Sequence, residues 1–109
     1  MFGFGSRKPV KEVQPGVLFD AMQDGEVILV DVREPGEFAS MRIPGAINMP
    51  LSRFDPSQLP RKRGKRVVLQ CASGMRSAKA FRMCDADTVD SHLAGGIGLW
   101  KRVGLPVER

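Results

Sequence analysis

The chain has 109 residues, of which 42% are hydrophobic and 27% are charged, and these values indicate one globular domain with a single core. No apolar run reaches the roughly 18 residues of a membrane span, and the N-terminus lacks the apolar stretch of a secretory signal, so we expect a cytoplasmic protein. The formal net charge of +5 comes largely from a basic run at residues 61–66.

Strands and helices alternate along the predicted chain. Residues 1–9 are expected to form a flexible N-terminal segment, and residues 10–109 are expected to form the folded domain. Strands are predicted at residues 10–13, 27–32, within 43–50, 67–70 and 89–93. Helices are predicted at residues 14–25, 34–40, 77–85 and 95–104, with one short helical turn within 51–66. Because residues 27–32 are a nearly continuous apolar run, typical of a strand covered on both faces, we predict an α/β fold with a mainly parallel sheet.

Cys71 is the strongest candidate for a chemical role. It follows the predicted strand at residues 67–70 and precedes a loop of small residues and then a predicted helix. This arrangement directs several backbone N–H groups to one point at the helix N-terminus. The helix dipole and the charge of Arg76 both favour the thiolate there, which is the reactive form of cysteine. The pattern therefore predicts a catalytic cysteine in an anion-binding loop, rather than an inert buried thiol.

Three residues after Cys71 have expected roles in this loop. Gly74 can adopt a positive φ, which lets the loop curl back over the thiol. Arg76 lies at the positive end of the helix dipole, so we expect it to bind an anion or to neutralise the thiolate. Ser77 either caps the helix or reaches the loop with its hydroxyl.

The second cysteine and the only histidine are weaker candidates. Cys84 lies on the same helix face as Phe81, which favours a packed core thiol over a resolving cysteine. With two cysteines in the chain, we expect no disulfide framework. His92 and Cys71 are compatible with a Cys–His pair for acyl transfer, but nothing in the sequence places the two together.

The charged residues elsewhere suggest structural roles. Asp31 and Arg33 follow the apolar strand and are interpreted as an ion pair that fixes the next loop, with a role in the active site as the alternative. The basic run at residues 61–66 is interpreted as a solvated loop, with a surface for nucleic acid or an acidic partner as the alternative. Aromatic residues are not interleaved with these charges, which weakens the nucleic-acid interpretation. No residues have the spacing of metal ligands.

Four short segments, in this order, resemble the rhodanese family of single-domain sulfurtransferases. They are residues 30–38 (VDVREPGEF), residues 43–48 (IPGAIN), residues 71–78 (CASGMRSA) and residues 93–100 (LAGGIGLW). Each motif alone has modest specificity. Together they are highly specific, and the resemblance extends over residues 10–109.

The resemblance implies a rhodanese-like α/β fold with a five-stranded, mainly parallel sheet flanked by helices. It implies a thiosulfate sulfurtransferase in which Cys71 accepts a sulfane sulfur as a persulfide and passes it to a nucleophile, with thiosulfate and cyanide as the usual assay pair. Arg76 is also expected to attract the donor anion. The residues expected to form the substrate-binding cradle are Ala72, Ser73, Gly74, Met75 and Arg76.

The same resemblance sets expectations about partners. We expect a small anionic sulfur donor, a thiophilic acceptor and, as a further partner, a sulfur-relay protein. We expect no cofactor, metal, nucleic acid or membrane. One departure from the family is the segment between Ala78 and His92, which is shorter than usual and lacks the usual glycine after the active-site helix. This departure affects the end of that helix and the edge of the last strand.

Two other functions are compatible with the same residues. A cysteine phosphatase or arsenate reductase also places a Cys thiolate and an Arg at a helix N-terminus, but its loop is longer than the four residues between Cys71 and Arg76. A catalytically silent rhodanese-like binding module is the other alternative. The intact Cys71 loop argues against a silent module.

Overall fold

Five strands form one sheet in residues 9–109, which are the residues that the computed structural model describes. The strands are β1 (Glu12–Val13), β2 (Val27–Asp31), β3 (Ile47–Asn48), β4 (Arg66–Gln70) and β5 (Ser91–Leu93). The α-helices in the same residues are α1 (Pro15–Gln23), α2 (Pro35–Ser40), α3 (Met75–Arg82) and α4 (Gly96–Arg102). None of these helices has the length and apolar composition that crossing a membrane requires.

The strand order is β1-β5-β4-β2-β3, and every neighbouring pair is parallel. The predicted α/β fold with a parallel sheet is therefore confirmed. The flexible segment expected at residues 1–9 lies outside the described residues, apart from Pro9. Because parallel strands all end at the same edge of the sheet, residues that follow β2, β4 and β5 meet there.

The apolar strands supply two cores, one on each face of the sheet. Successive side chains of a strand point to opposite faces, so a continuous apolar run contributes to both cores. Val30 belongs to the core that contains Phe81 of α3. Leu29, the residue before it, belongs to the core that contains Trp100 of α4. Burial on both faces explains why β2 and β4 read as continuous apolar runs in the sequence.

Two connecting segments differ from the prediction. The helix predicted at residues 77–85 is α3, which begins and ends earlier in the chain, at Met75 and Arg82. After α3, residues 85–88 stand where the family usually has a glycine, and they form a turn. In that turn the N–H of Thr88 donates to the carbonyl of Asp85 at 3.0 Å. The sequence predicts one helical turn within residues 51–66. The structure has two short 3₁₀ turns there, Leu51–Arg53 and Pro56–Gln58.

Candidate active site

Cys71 follows the carboxyl end of β4 and is 1% exposed. Its sulfur accepts hydrogen bonds from the backbone N–H groups of Gly74 at 3.1 Å and Ser77 at 3.3 Å. Gly74 has a φ of 110°, in the region that favours glycine, and it is the N-cap residue of α3. The positive φ predicted for Gly74 is thus confirmed, and it bends the chain so that its own N–H and the N–H of Ser77, in the first turn of α3, point at the sulfur.

The expected cradle residues divide between the loop and the helix. Ala72, Ser73 and Gly74 form the loop between β4 and α3, whereas Met75 and Arg76 form the first turn of α3. The side chain of Met75 is 81% exposed, in contrast to the buried thiol. Substrate binding by these residues stays a prediction.

The N-terminus of α4 holds the loop from the other side. The N–H groups of Ile97 and Gly98 donate to the carbonyls of Cys71 and Ala72, at 2.9 and 3.0 Å respectively. Because the C=O and N–H of a trans peptide point in opposite directions, these bonds turn the loop N–H groups away from α4. Gly96 permits this contact. Its φ is 59°, and a Cβ atom at this position would lie 2.6 Å from the carbonyl carbon of Ala72.

The pKa of the Cys71 thiol lies below its ordinary value. Burial raises this pKa, but the Ser77 hydroxyl and the backbone N–H groups of Ser77, Gly74 and Ser73 lower it by more in sum. Arg76 interacts with Cys71 through its charge, although less strongly than it interacts with Glu37. Compared with an ordinary thiol, the structure therefore shifts Cys71 toward the thiolate, in the direction that the sequence pattern predicts, and hydrogen bonds within the loop cause this shift.

The guanidinium of Arg76 is bound by Glu37 of α2, a residue that sequence reasoning missed. Its Nη1 and Nη2 atoms donate to the two carboxylate oxygens at 2.7 and 2.9 Å. The hydrogen bond from Arg76 holds the pKa of Glu37 at about 2. One oxygen of Glu37 also accepts the N–H of Glu34 at 2.9 Å, which completes a capping box at the start of α2. The spacing of Glu34 and Glu37 was the available signal for the capping box, but no local pattern linked Glu37 to Arg76.

Asp31 and Arg33 form the ion pair that the sequence favours. The shortest bond joins Arg33 Nη2 to Asp31 Oδ2 at 2.7 Å, and both side chains are buried. The same nitrogen donates to the carbonyl of Met41 at 2.7 Å. The amide of Asn48 donates to the carbonyls of Asp31 and Arg33 at 3.0 and 2.8 Å. These bonds fix the segment after β2, the strand next to β4.

His92 lies close to the cysteine loop, on β5. Its Nδ1 atom is 2.7 Å from the hydroxyl oxygen of Ser77, and that oxygen is 3.5 Å from the Cys71 sulfur. On its other side, Nε2 is 3.6 Å from a carboxylate oxygen of Glu12 on β1. The sequence alone did not place His92 near Cys71. The strand order does so, because β5 pairs directly with β4.

A cleft of about 390 Å³ opens beside the loop. Its lining includes the loop residues Ser73 and Gly74, the His92 imidazole, and one charged side chain of each sign, Glu12 and Arg82. A small molecule in this cleft therefore meets both the cysteine loop and the only histidine of the chain.

The second cysteine is a core residue, as predicted. Cys84 is 4% exposed, and its thiol donates to the carbonyl of Ala80 at 3.3 Å. Cys71 and Cys84 are not joined by a disulfide. Within residues 9–109, no group of three or more His, Cys, Asp or Glu side chains is arranged to hold a metal ion.

The basic run at residues 61–66 lies far from the cysteine, at the amino end of β4. It lines a larger cleft, of about 460 Å³, together with Asp87 and Asp90. Arg66 is 3.5 Å from Glu26 and 3.9 Å from Asp90. Acidic side chains thus offset part of the positive charge. The expectation that this surface binds no nucleic acid stays a prediction.

The fold and the site define a class of protein, the parallel α/β domains with a cysteine loop at the end of a central strand. The family model described as a Rhodanese-like domain matches residues 15–103. The chain therefore belongs to the rhodanese family, as the four sequence segments suggest.

Two individual relatives and one solved structure are similar to this chain over most of its length. An uncharacterized protein of Synechocystis is 46% identical over 99 residues, which are 89% of this chain and 55% of that protein, so the chain spans about half of its length. A protein of Allochromatium vinosum named "Sulfurtransferase" is 38% identical over 103 residues, covering 90% of this chain and 94% of that protein. The crystal structure of a rhodanese-related protein from Thermoplasma volcanium superposes with a TM-score of 0.77 at 30% identity, covering 90% of this chain and 97% of that one.

Proposed function

We propose that this protein is a sulfurtransferase in which Cys71 carries sulfane sulfur as a persulfide and passes it to a thiophilic acceptor. The observation that carries the proposal is the convergence of the Gly74 and Ser77 N–H groups on the Cys71 sulfur. Hydrogen-bond donors fixed in this way stabilise a thiolate before reaction and a persulfide anion after it. The likeness to the Allochromatium vinosum protein, over nearly the full length of both chains, supports the same class of reaction.

With thiosulfate as donor, the reaction consists of two displacements at sulfur. The Cys71 thiolate attacks the outer sulfur of thiosulfate, the S–S bond of the donor breaks, and sulfite leaves with the electron pair. The acceptor, which is cyanide in the assay, then attacks the terminal sulfur of the persulfide. The persulfide S–S bond breaks, its electron pair returns to Cys71 as a thiolate, and thiocyanate leaves. Neither step requires a cofactor.

The size and charge of the loop support sulfur chemistry over phosphoryl chemistry. Four residues separate Cys71 from Arg76, and the Arg76 guanidinium already binds the Glu37 carboxylate with both terminal nitrogens. A phosphatase needs donors arranged around several phosphoryl oxygens, whereas a persulfide presents a single terminal sulfur. The small loop matches the smaller group.

The donor and the acceptor are proposed to approach the loop differently. A small anionic donor such as thiosulfate is attracted by the loop N–H groups and by Arg76. The acceptor enters the cleft beside the loop, which has Glu12 and Arg82 in its walls and is large enough for a small thiol. A sulfur-relay protein is the alternative acceptor, and it would contact the exposed Met75 at the rim of the same cleft.

Intact-mass measurement after incubation with thiosulfate tests the proposal. The wild-type protein should gain the mass of one sulfur atom, and cyanide should remove it with release of thiocyanate. Cys71→Ser should not gain this mass. Cys84→Ser is the matched control, because Cys84 is the other thiol of the chain and lies in the core. Sulfur loading that persists in Cys71→Ser would show that Cys71 is not the carrier.

A further inference from the structure

A chain of polar atoms runs from the surface of the cleft to the Cys71 sulfur. It begins at the carboxylate of Glu12, continues 3.6 Å to Nε2 of His92, and then 2.7 Å from Nδ1 to the hydroxyl of Ser77. The last step, from that hydroxyl to the Cys71 sulfur, is 3.5 Å. Ser77 is fully buried and His92 is 3% exposed, so the contacts of Ser77 with His92 and Cys71 are shielded from water, whereas the Glu12 side chain is 55% exposed.

The position of Glu12 determines the direction in which protons are donated. A carboxylate beside Nε2 favours the tautomer with its proton on Nε2, which leaves Nδ1 of the neutral imidazole as an acceptor. With this tautomer the Ser77 hydroxyl donates its proton to Nδ1 at 2.7 Å, because its other acceptor, the Gly74 carbonyl, is farther away at 3.3 Å. With its proton directed at His92, the hydroxyl oxygen accepts the S–H of Cys71. Between Glu12 and Cys71, each hydrogen-bond donor thus faces an acceptor.

We propose that His92 is a positioning residue that takes up a proton on Nδ1 when Cys71 gives its thiol proton to the Ser77 hydroxyl, while Glu12 faces the proton on Nε2. In this step the S–H bond of Cys71 breaks and its proton moves to the Ser77 oxygen, while the original hydroxyl proton of Ser77 moves to Nδ1 of His92. The products are a thiolate and an imidazolium, so charge and protons balance. The inference rests on the proposed role of Cys71 as a nucleophile, and it adds the group that receives the proton.

The charged groups around His92 fit this role. Within the described residues, Glu12 faces it from β1, Arg82 from α3 and Cys71 through Ser77. Burial lowers the pKa of His92, Glu12 raises it and Arg82 lowers it, with a net pKa below the usual value. This lowered pKa keeps the imidazole neutral while Cys71 is a thiol and disfavours the imidazolium, so uptake of the proton depends on the thiolate charge that forms beside it. The negative charge of the thiolate, once formed, stabilises the imidazolium.

A purely structural role for His92 makes a different prediction. In that case the imidazole only anchors the Ser77 hydroxyl, and an asparagine at this position would preserve the function. The amide oxygen of Asn can lie close to the place of Nδ1 and accept the Ser77 hydroxyl proton in a hydrogen bond, but the amide does not become protonated. His92→Asn therefore separates the proton-accepting role from the anchoring role.

The pH dependence of Cys71 alkylation tests the proposal. We use iodoacetamide, an uncharged reagent, on Cys84→Ser protein, in which Cys71 is the only thiol. His92→Asn in this background should raise the inflection of the rate by about 1 pH unit or more, which is the size of effect expected from losing a nearby opposite charge. Ser77→Ala should raise it as well, and adding His92→Asn to Ser77→Ala should cause little further change, because the two residues act in one chain.

Unchanged inflections would overturn the proposal. If His92→Asn reacts with the pH profile of its parent, His92 is an anchor only. If His92→Asn and Ser77→Ala each shift the inflection and their effects add, the proton does not pass through Ser77. Thermal unfolding of each variant verifies that the alkylation rates are those of folded protein.

A second measurement observes the proton on His92 directly and does not require a change at that residue. Because His92 is the only histidine of the chain, its imidazole gives one NMR signal whose shift follows pH. Replacing Cys71 by Ser in the Cys84→Ser background should lower the apparent pKa of His92, since the thiolate no longer stabilises the imidazolium. Equal apparent pKa values in the two proteins would overturn the proposal. Sulfur loading of Cys71 is measured separately, so failure of the proposed function and failure of the His92 inference give different results.

Discussion

The Arg76 guanidinium and the Glu37 carboxylate form a bidentate ion pair, with bonds of 2.7 and 2.9 Å, that ties the first turn of α3 to α2. The Arg76 side chain is 35% exposed and the Glu37 side chain is 39% exposed, so the pair lies at the surface of the site rather than in the core. The positive charge next to Cys71 is therefore partly neutralised before a donor arrives. If Arg76 binds the anionic donor as proposed, the donor either shares Arg76 with Glu37 or displaces the carboxylate.

Substitutions at Arg76 and Glu37 should change thiosulfate kinetics in opposite directions. Arg76→Ala should raise the KM for thiosulfate with a smaller effect on kcat, because the lost contact is one of binding. Arg76→Lys should restore part of the binding, since lysine lacks the planar donor pair. Glu37→Gln should lower the KM, because it removes the negative charge that competes with the donor. Steady-state kinetics of thiosulfate and cyanide measure both effects.

Two controls accompany these kinetics. Lys79→Ala removes an exposed positive charge elsewhere on α3 and should leave the KM near that of the wild type. Raising the salt concentration should slow the wild-type reaction, because charge steering is screened beyond about 8–10 Å at moderate ionic strength. A wild-type KM in Arg76→Ala, in folded protein, would mean that the loop N–H groups hold the donor alone.

Glu37 should make stability depend on pH in the acidic range. Its pKa in the folded protein is about 2, compared with 4.5 for the free group, mainly because of the bond from Arg76. A lowered pKa stabilises the fold above the unfolded-state value, and this contribution is lost as the pH falls from 4.5 toward 2. Glu37→Gln should therefore be less stable than wild type near neutral pH, by no more than about 1 kcal/mol for so exposed a pair, and the difference should shrink in acid.

Urea unfolding at a series of pH values measures this difference in free energy. Glu26→Gln provides a comparison, because it removes another exposed carboxylate, one that lies 3.5 Å from Arg66 in a looser pair. Glu26→Gln should lose less stability than Glu37→Gln near neutral pH, because the pair that it breaks is longer and more exposed. A constant difference between wild type and Glu37→Gln across the acidic range would contradict the assigned role of the Arg76 bond.

Cys71 should react as an acidic thiol only while the loop is folded. In the native Cys84→Ser protein, the alkylation rate should have its inflection below the ordinary thiol value of about 8.5. In urea, where the N–H groups of Gly74 and Ser77 no longer converge on the sulfur, the inflection should return to that value. The rate of iodoacetamide labelling as a function of pH measures both. A native inflection at or above the unfolded one would show that burial outweighs the hydrogen bonds.

Replacing Gly96 by alanine should destabilise the protein more than the same change at a glycine that does not contact the Cys71 loop. A Cβ atom at this residue would press on the Cys71 and Ala72 carbonyl groups, and its φ of 59° is also unfavourable for other residues. Overpacking and backbone strain together predict that Gly96→Ala lowers stability by about 2–4 kcal/mol and reduces sulfur loading. Gly104→Ala has a similar φ of 85° but no atom within 4 Å, so it should show the cost of strain alone. Thermal unfolding compares the two, and equal losses would contradict a contact between α4 and the loop.

Short stretches of sequence determine several parts of this protein, and these parts could be predicted from local patterns. Each of these parts is set by residues next to it in the chain. The apolar runs form β2 and β4, Gly74 starts α3, and Cys71 lies between β4 and Gly74. Side-chain alternation, strand length and the special φ of Gly74 are likewise local properties. For this reason the fold class, the Cys71 loop and the Asp31–Arg33 pair could be predicted from the sequence.

The partners of the loop depend on how distant segments are brought together. Glu37 is 39 residues from Arg76, and His92 is 15 residues from Ser77. No spacing rule connects such residues. Their contacts exist because β5 lies beside β4 in the sheet and because α2 lies close enough to α3 for their side chains to bond. The sequence alone determined which residue is the candidate nucleophile, but only the tertiary structure decided which groups surround it, since packing of the sheet and helices sets those distances.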